Sequence, residues 1–190
     1  MDALFNSSIP CSVSAEISTT DAPLLLTVDS SNMRGKSTLL KIIHGDVQPD
    51  SGKWKLGASL KVGYFAQHST ELLHPKETVI GTMQAKFSGD SIGALRKCLA
   101  GFGFDDIDMD KVTSWLSGGE KSKLVMALML FRPPNFLILD EPTNHLDVES
   151  KQSLLDALDR YDGTIIFVSH DRHFLEAVAN HVLEIDGGVA

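Results

Sequence analysis

The apolar positions of the chain are concentrated in short runs that predict buried β-strands. Strands covered on both faces of a parallel sheet have such continuous apolar runs, whereas half-exposed strands alternate apolar with polar residues. The three clearest runs are LLLTVD at 24–29, NFLILDEP at 135–142 and TIIFVSHD at 164–171. Residues 48–67 predict a turn, a strand, a second turn and a second strand, with turn residues at Pro49, Asp50, Gly52 and Gly57.

The segments between these strands have the pattern of helices, several of which are ended by glycine or proline. They are KSTLLKIIHG at 36–45, GEKSKLVMALMLF at 119–131, VESKQSLLDALDRYDG at 148–163, and the beginning of RHFLEAVANHVLEID at 172–186. Residues from about 71 to 115 are more polar and more helical, which predicts a small helical insert. Strands alternating with helices predict an α/β fold with a parallel sheet flanked by helices.

The length and composition indicate one α/β domain over residues 24–190, preceded by an atypical segment at 1–23. That segment is rich in Ser, Thr and Pro, and it predicts either one or two weak strands or a partly disordered lead-in. With 190 residues, 43% hydrophobic and 22% charged, the chain is typical of a soluble globular protein. The net charge of −8 argues against binding nucleic acid through a diffuse basic surface.

Cysteine usage and the absence of long apolar runs predict a cytoplasmic protein without a membrane segment. Cys11 and Cys98 have no metal-ligand spacing, so we expect free thiols in a reducing compartment. No apolar run approaches the 18 or so residues of a membrane helix, and the N-terminus lacks the charged and apolar regions of a signal peptide.

Residues 28–40, VDSSNMRGKSTLL, resemble a phosphate-binding loop that leads into a helix. The pattern G-x-x-x-x-G-K-[ST] has a glycine where this chain has Ser30. Backbone N–H groups at a helix N-terminus favour phosphate, Lys36 is expected to reach the phosphates, and the Ser37 hydroxyl is a ligand type for Mg²⁺ (magnesium). The structural alternative is a turn with an N-cap.

Further polar residues follow the predicted strands, at the sheet edge where α/β proteins bind ligands. Asp140 and Glu141 end the strand at 136–141, suiting a magnesium ligand and a group that polarises water; solvated acids at a strand end are the alternative. Gln67 and His170 each follow a strand and can hydrogen-bond a metal-bound water or a phosphate, although either alone is more often structural.

The LSGGE sequence at residues 116–120 comes directly before a predicted helix. Ser117 and the amides of Gly118 and Gly119 can cradle a phosphate at the helix N-terminus. Glu120 stands three residues after Ser117, so a simple capping box is the alternative.

Together these motifs resemble an ATP-binding cassette (ABC) domain over roughly residues 24–188, because GKST, Gln67, LSGGE, LDE and His170 occur in its order and approximate spacing. DEPTNHLD at 140–147 is similar to the ABC-F family of ABC ATPases, which lack membrane domains and many of which act on the ribosome. GYFAQH and LSGGEKSKL are more similar to the second ABC-F cassette than to the first.

The resemblance implies ATP and Mg²⁺ as cofactors and a role for each matching residue. Asn32, Gly35, Lys36, Ser37 and Thr38 match the Walker A loop, Gln67 the Q-loop, and Ser117, Gly118, Gly119 and Glu120 the signature. Asp140 matches the magnesium aspartate, Glu141 the general base, Asp147 the D-loop aspartate and His170 the switch histidine. Catalysis is therefore expected from Glu141, His170 and Gln67, with magnesium near Ser37, Gln67 and Asp140.

The resemblance also implies a partner, because ABC cassettes pack in pairs, head to tail, and each site combines Walker A of one cassette with the signature of the other. The partner is either a second copy of this chain or a cassette missing from it, and the ABC-F resemblance adds the ribosome. An ATPase subunit of a membrane transporter is an alternative.

Two departures from the family pattern predict an impaired ATPase. Ser30 and Met33 replace loop glycines, which weakens phosphate binding if these positions need positive φ. Residues 1–23 do not match the family's first strands and adenine-stacking aromatic, so the N-terminal β region is expected to be incomplete. We expect one cassette of a longer chain, or alternatively a nucleotide-poor fragment or interaction module.

Overall fold

The computed structural model describes residues 25–28, 36–50, 55–66, 69–144 and 146–183. Within them, five parallel strands form one sheet in the order β2-β3-β4-β1-β5. The strands are β1 (Leu25–Val28), β2 (Val62–Phe65), β3 (Phe136–Asp140), β4 (Thr164–Val168) and β5 (His181–Leu183). The α-helices are α1 (Lys36–His44), α2 (Val79–Lys86), α3 (Ile92–Gly101), α4 (Asp106–Met109), α5 (Gly118–Leu130), α6 (Val148–Asp159) and α7 (Arg172–Val178). Short 3₁₀ turns cover Ser69–Leu72 and Thr113–Trp115.

Alternate side chains of the two central strands are buried on opposite faces of the sheet, as the two-residue repeat of a strand requires. Both β3 and β4 are buried along their whole length. On one face, Leu40 of α1 packs with Phe136, Ile138, Ile166 and Val168. On the other face, a larger cluster combines Leu137, Leu139, Ile165 and Phe167 with apolar residues of α2, α3, α5, α6 and α7. The sheet is therefore covered on both sides, which confirms the predicted α/β class.

The segment from 71 to 115 contains three α-helices, and its ends are tied together near the sheet. Thr78 and Val112 form an isolated antiparallel bridge, supported by hydrogen bonds from the amide of Val79 to the carbonyl of Lys111 (3.0 Å) and from the amide of Thr113 to Glu77 (2.8 Å). Cys98 in α3 is a free thiol whose burial raises its pKa to about 11. The helical character agrees with the predicted insert, while the domain limits themselves stay a prediction.

Two local features add detail to the sequence prediction. Of the two strands predicted within 48–67, the later one corresponds to β2; the earlier one, between the turns at Gly52 and Gly57, lies partly outside the described residues, and its described residues 55 and 56 form no strand. Residues 172–186 begin as helix α7, as predicted, and then continue into β5, a strand that the sequence did not predict and that pairs with β1. The pairing of β5 with β1 joins residues more than 150 positions apart, so no local pattern in the sequence predicts this pairing. The segment 1–23 and the expected incomplete N-terminal β region lie outside the described residues.

Candidate functional site

The polar residues singled out by sequence converge on the carboxyl edge of the parallel sheet. Helix α1 follows β1 and begins at Lys36. Asp140 ends β3, Glu141 follows directly after it, and His170 follows β4. Helices α6 and α7 also begin at this edge, because each follows a strand. Helix N-termini carry unpaired N–H groups and a partial positive charge, so this edge favours an anion.

Lys36 is the most informative side chain at this edge. It is only 6% exposed, and its Nζ has no hydrogen-bond partner among the described residues. A buried amine without a partner is costly, so its retention indicates that an anionic group completes the site. Ser37 and Thr38, the next two residues of α1, are exposed. Ser30, Asn32, Met33 and Gly35 lie outside the described residues.

Asp140 and Glu141 present two carboxylates at the end of β3. Asp140 is buried, and Glu141 has a φ of 51°, in the left-handed region that is unusual for a residue other than glycine. The hydrogen bond from the Glu141 amide to the carbonyl of Val168 (2.9 Å) holds this conformation. Such strain commonly marks functional positions.

His170 contacts both carboxylate oxygens of Glu141. The ring Nε2 of His170 lies 3.1 Å from Oε1 of Glu141, and the backbone amide of His170 donates to Oε2 at 3.3 Å. Burial raises the pKa of Glu141, and the nearby charge of Asp140 adds to this, while the charges of His170 and Lys36 oppose it. The charge state of Glu141 therefore depends on three neighbouring residues: Lys36, Asp140 and His170. Gln67 lies outside the described residues.

The LSGGE residues form a capping box at the start of α5. Ser117 Oγ accepts from the amide of Glu120 (3.2 Å), and Glu120 Oε2 accepts from the amide of Ser117 (2.7 Å). Hydrogen bonds from the side chain and the backbone of Ser117 to the carboxylate lower the pKa of Glu120. Ser117 and Gly118 are exposed, and a Cβ added at Gly118 would meet no atom within 4 Å. Glu120 therefore forms the capping box that was the alternative to phosphate binding, and the exposed backbone at Gly118 remains accessible to a ligand.

Helices α1 and α5 pack on opposite faces of the sheet. Leu40 of α1 belongs to one core cluster, whereas Leu124 and Ala127 of α5 belong to the other. The start of α5 therefore does not lie beside Lys36 on the same face. Residues 117–120 and Lys36 are not brought together into one compact site by this chain.

Both carboxylate oxygens of Asp147 accept hydrogen bonds from residues of this chain. It caps α6 by accepting from the amide and hydroxyl of Ser150 (2.8 and 2.5 Å), and its other oxygen pairs with Nζ of Lys123 at 2.8 Å. The hydrogen bonds from Lys123 and Ser150 hold the pKa of Asp147 far below its usual range. Sequence reasoning missed Lys123; the spacing of Asp147 and Ser150 signals the cap, but nothing local signals the ion pair.

Magnesium is implied by the family, and the donors at this edge fit it chemically. Mg²⁺ in phosphate-transferring sites is bound by one or two carboxylate or hydroxyl oxygens together with substrate phosphates. Asp140 supplies a buried carboxylate and Ser37 an exposed hydroxyl at the edge where Lys36 lacks a partner. A surface depression lined by Pro134 and Tyr161 lies at the opposite edge of the sheet and contains none of the predicted site residues.

Comparison with known proteins agrees with this geometry. The sequence profile of the family described as ABC transporter matches residues 31–144, which is more than half of the chain. The chain therefore belongs to the ABC transporter family of ATP-binding domains. The "Probable ATP-binding protein YbiT" of Escherichia coli O157:H7 is 45% identical over 161 residues, covering 84% of this chain and 30% of that protein.

Other relatives place the chain beside ABC-F proteins. The "ABC transporter F family member 5" of Arabidopsis thaliana is 41% identical over 159 residues, covering 81% of this chain and 22% of that protein. The chain thus spans less than a third of the length of these relatives. Within the part that the structure describes, no helix combines the length and apolarity needed to cross a membrane.

Solved structures share the fold. The chain superposes on a structure described as "RNase-L Inhibitor" with a TM-score of 0.71 and 25% identity, over 87% of this chain and 32% of that one. A structure of an ATP-binding subunit of an ABC transporter gives a TM-score of 0.73 over 90% of this chain and 78% of that one; at 20% identity it supports the fold alone.

Proposed function

We propose that this chain binds Mg²⁺ and ATP at the carboxyl edge of its sheet and hydrolyses ATP as one cassette of an ABC-F type ATPase. The observation that carries this proposal is the buried Nζ of Lys36 at the start of α1, which has no hydrogen-bond partner among the described residues. This amine would bind an anion such as a phosphate. At the same edge of the sheet, the carboxylate of Glu141, held by His170, would act as the base. The relatives named ATP-binding proteins support the same assignment.

In the proposed reaction, the oxygen of a water molecule bonds to the γ-phosphorus of ATP while the bond to the bridging oxygen of ADP breaks. Glu141 orients this water and accepts its proton, and the raised pKa of Glu141 suits that task at neutral pH. His170 holds both oxygens of Glu141. Lys36 binds the phosphates and opposes their charge. Bound Mg²⁺, held by Ser37 and Asp140 with Gln67, would supply further positive charge to the phosphate oxygens.

A second cassette is part of the proposal, because α5 packs on the sheet face away from α1. Ser117, Gly118 and Gly119 would then face the ATP held by the partner, whose own signature would cover Lys36. The partner is a second copy of this chain, head to tail, or another cassette of a longer protein.

Ser30 and Met33 are proposed to weaken ATP binding rather than to abolish it, because Lys36 and Ser37 are retained. A residue other than glycine forced into positive φ costs about 1–3 kcal/mol. If all of this cost falls on the bound state, affinity drops by about one to two decades per site.

The first experiment measures Mg²⁺-dependent ATP hydrolysis by the purified chain and by Glu141→Gln and Met33→Gly. Loss of turnover in Glu141→Gln with a gain in Met33→Gly supports a working but impaired cassette. Turnover that persists in Glu141→Gln contradicts the assignment of the base. If none of the three proteins is active, addition of a partner cassette has to restore turnover, or the ATPase proposal fails.

We also propose a cytoplasmic, translation-related role, which rests on the relatives. One structural neighbour, 26% identical, is a complex of an archaeal ribosomal stalk protein with an archaeal ribosome recycling factor. Co-sedimentation with purified ribosomes, with and without ATP, tests this role in the Glu141→Gln variant. A nucleotide-poor interaction module is the competing function, supported by Ser30 and Met33 in the loop, and it predicts ribosome binding that ATP does not change.

A further inference from the structure

The chain enters the sheet at its amino edge, next to an open groove that we call the amino-edge groove. Leu25, the first residue of β1, pairs with Ile165 of β4. Gly163, two positions before Ile165, lines the groove. Because neighbouring strands lie about 5 Å apart, the residues that precede Leu25 leave the sheet beside this groove. Its other main walls come from the ends of α5 and α6 and the turn before β3: Leu130, Pro133, Pro134, Ala157, Arg160 and Tyr161.

The floor of the amino-edge groove is held in place by hydrogen bonds. The hydroxyl of Tyr161 donates to the carbonyl of Pro134 (2.6 Å), and the amide of Thr164 donates to the carbonyl of Asn135 (3.0 Å). A Cβ added at Gly163 would lie 2.7 Å from the same carbonyl oxygen of Asn135, so the two turns are tightly packed. The groove is therefore already formed, and a segment that covers it does not have to reorganise it.

Two cationic side chains lie along the groove and its continuation between α3 and α6. Arg160 lines the amino-edge groove, and Lys97 lines an adjoining depression that also contains Arg160. Both are exposed, and neither forms an ion pair with any of the described residues. The acids on these walls are Asp162 and Asp156, one in each depression. The walls thus balance in charge, although the chain as a whole has a net charge of −8.

A different depression, between α6 and α7, also lies close to the start of β1, because Ile165 lines it. Its ionisable lining residues are Asp156, Asp159 and His173, and it contains neither lysine nor arginine. Like charges repel, so an acidic segment leaving the sheet is disfavoured here and favoured in the amino-edge groove.

The segment that precedes β1 is acidic and carries apolar side chains. Residues 1–23 contain Asp2, Glu16 and Asp21 but no lysine or arginine. Ile17 stands eight positions before Leu25, so it reaches up to about 26 Å from the start of β1. Gly163 and Arg160, at the near and far parts of the groove wall, are three residues apart and thus separated by no more than about 11 Å. The length of the segment is therefore sufficient to follow the groove.

We propose that residues 13–23 bind in the amino-edge groove of their own chain, with Ile17 against its apolar wall and Glu16 beside Arg160. The occupant is thus the part of the chain that departs from the ABC family pattern. This inference is independent of ATP binding, because the groove lies at the sheet edge opposite to Lys36 and Glu141.

A charge introduced at Ile17 tests the apolar contact in the full chain. We expect Ile17→Asp to lower the melting temperature, followed by circular dichroism, by about 2–8 °C. The amide NMR signals of Leu130, Ala157 and Tyr161 should shift in this variant. Ser18→Asp is the matched control, because it adds the same charge at the neighbouring polar position, and it should leave the melting temperature within about 2 °C of the wild type. Unchanged groove amide signals in Ile17→Asp overturn the proposal.

A charge swap tests where the segment lies. Arg160→Glu by itself also destabilises the end of α6, where the helix dipole favours a cation, so the measured quantity is the coupling in a double-mutant cycle. We expect the double variant of Glu16→Lys and Arg160→Glu to melt about 1–4 °C above the sum of the single effects. Glu16→Lys combined with Lys41→Glu, on the other face of the sheet, should be additive. Additivity in both pairs contradicts the placement of Glu16 beside Arg160.

Two results would assign the groove to another occupant and overturn the proposal. Groove amide signals that shift with protein concentration, together with a dimer in sedimentation velocity, mean that a second copy of the chain covers the groove. Groove amide signals that respond neither to concentration nor to Ile17→Asp mean that residues 13–23 lie elsewhere and leave the groove to a different protein. All of these measurements are made without nucleotide, so a failure of the ATPase proposal does not change their outcome.

Discussion

Replacing Lys36 by methionine is expected to stabilise the nucleotide-free protein. Nζ of Lys36 is buried without a partner among the described residues, at a helix N-terminus where a positive charge is unfavourable. Leaving such a group unsatisfied costs about 1–3 kcal/mol. Methionine is also unbranched and of similar length, so Lys36→Met should recover most of this cost. For a chain of this size, the melting temperature rises by about 2–12 °C.

ATP should reverse the order of stability. The wild type gains about 1.4 kcal/mol when ATP with Mg²⁺ is present at ten times its Kd, whereas Lys36→Met, which lacks the phosphate contact, should gain little. Thermal unfolding followed by circular dichroism, with and without Mg²⁺ and ATP, measures both effects. Lys41→Met on the exposed side of α1 is the control and should leave the melting temperature within about 2 °C of the wild type.

Two results would refute this reasoning. A nucleotide-free Lys36→Met protein that melts below the wild type means that Lys36 already makes a stabilising contact within the chain. An ATP-induced shift of equal size in both proteins means that Lys36 does not bind phosphate, even if the protein binds ATP elsewhere.

Three further outcomes are expected. Because burial raises the pKa of Glu141, the acid limb of the ATPase pH profile should lie above the ordinary pKa range of glutamate. The free energy of unfolding should fall as pH rises from that range through the pKa of Glu141 in the folded protein. In urea titrations at several pH values, Glu141→Gln should lose this fall. Ser117→Asp should keep the cap and the melting temperature but abolish turnover, since it brings a negative charge toward the partner's phosphate, whereas a purely structural cap would leave turnover intact. Gly63→Ala should destabilise the fold by about 1–3 kcal/mol in chemical denaturation, because its Cβ would lie 2.7 Å from Cγ of Pro134; an unchanged midpoint would show that the loop yields freely.

Local patterns in the sequence were sufficient to predict the strands and the helix start around the site. The apolar runs that became β3 and β4 and the spacing of Ser117 to Glu120 depend on residues within a few positions of one another. Strand burial and helix capping are set by such short-range patterns, so they can be predicted from the chain alone. The order of the motifs also indicated the family, which the family profile confirmed.

Contacts between distant residues could not be predicted in this way. Glu141 meets His170 across 29 positions, and Lys123 meets Asp147 across 24. Both contacts depend on which strands are neighbours and how α5 packs against α6. The local sequence around a charged residue in a helix does not predict which distant residue it will pair with.

The sequence by itself determined the α/β class, the parallel strands of the central sheet and the residue types that gather at their carboxyl ends. Only the tertiary structure decided that Lys36 is buried with no hydrogen-bond partner among the described residues, that α1 and α5 lie on opposite faces, and that β5 joins the sheet beside β1. The physical reason is that periodicity specifies which face of an element is apolar, whereas burial and pairing depend on which other elements cover that face.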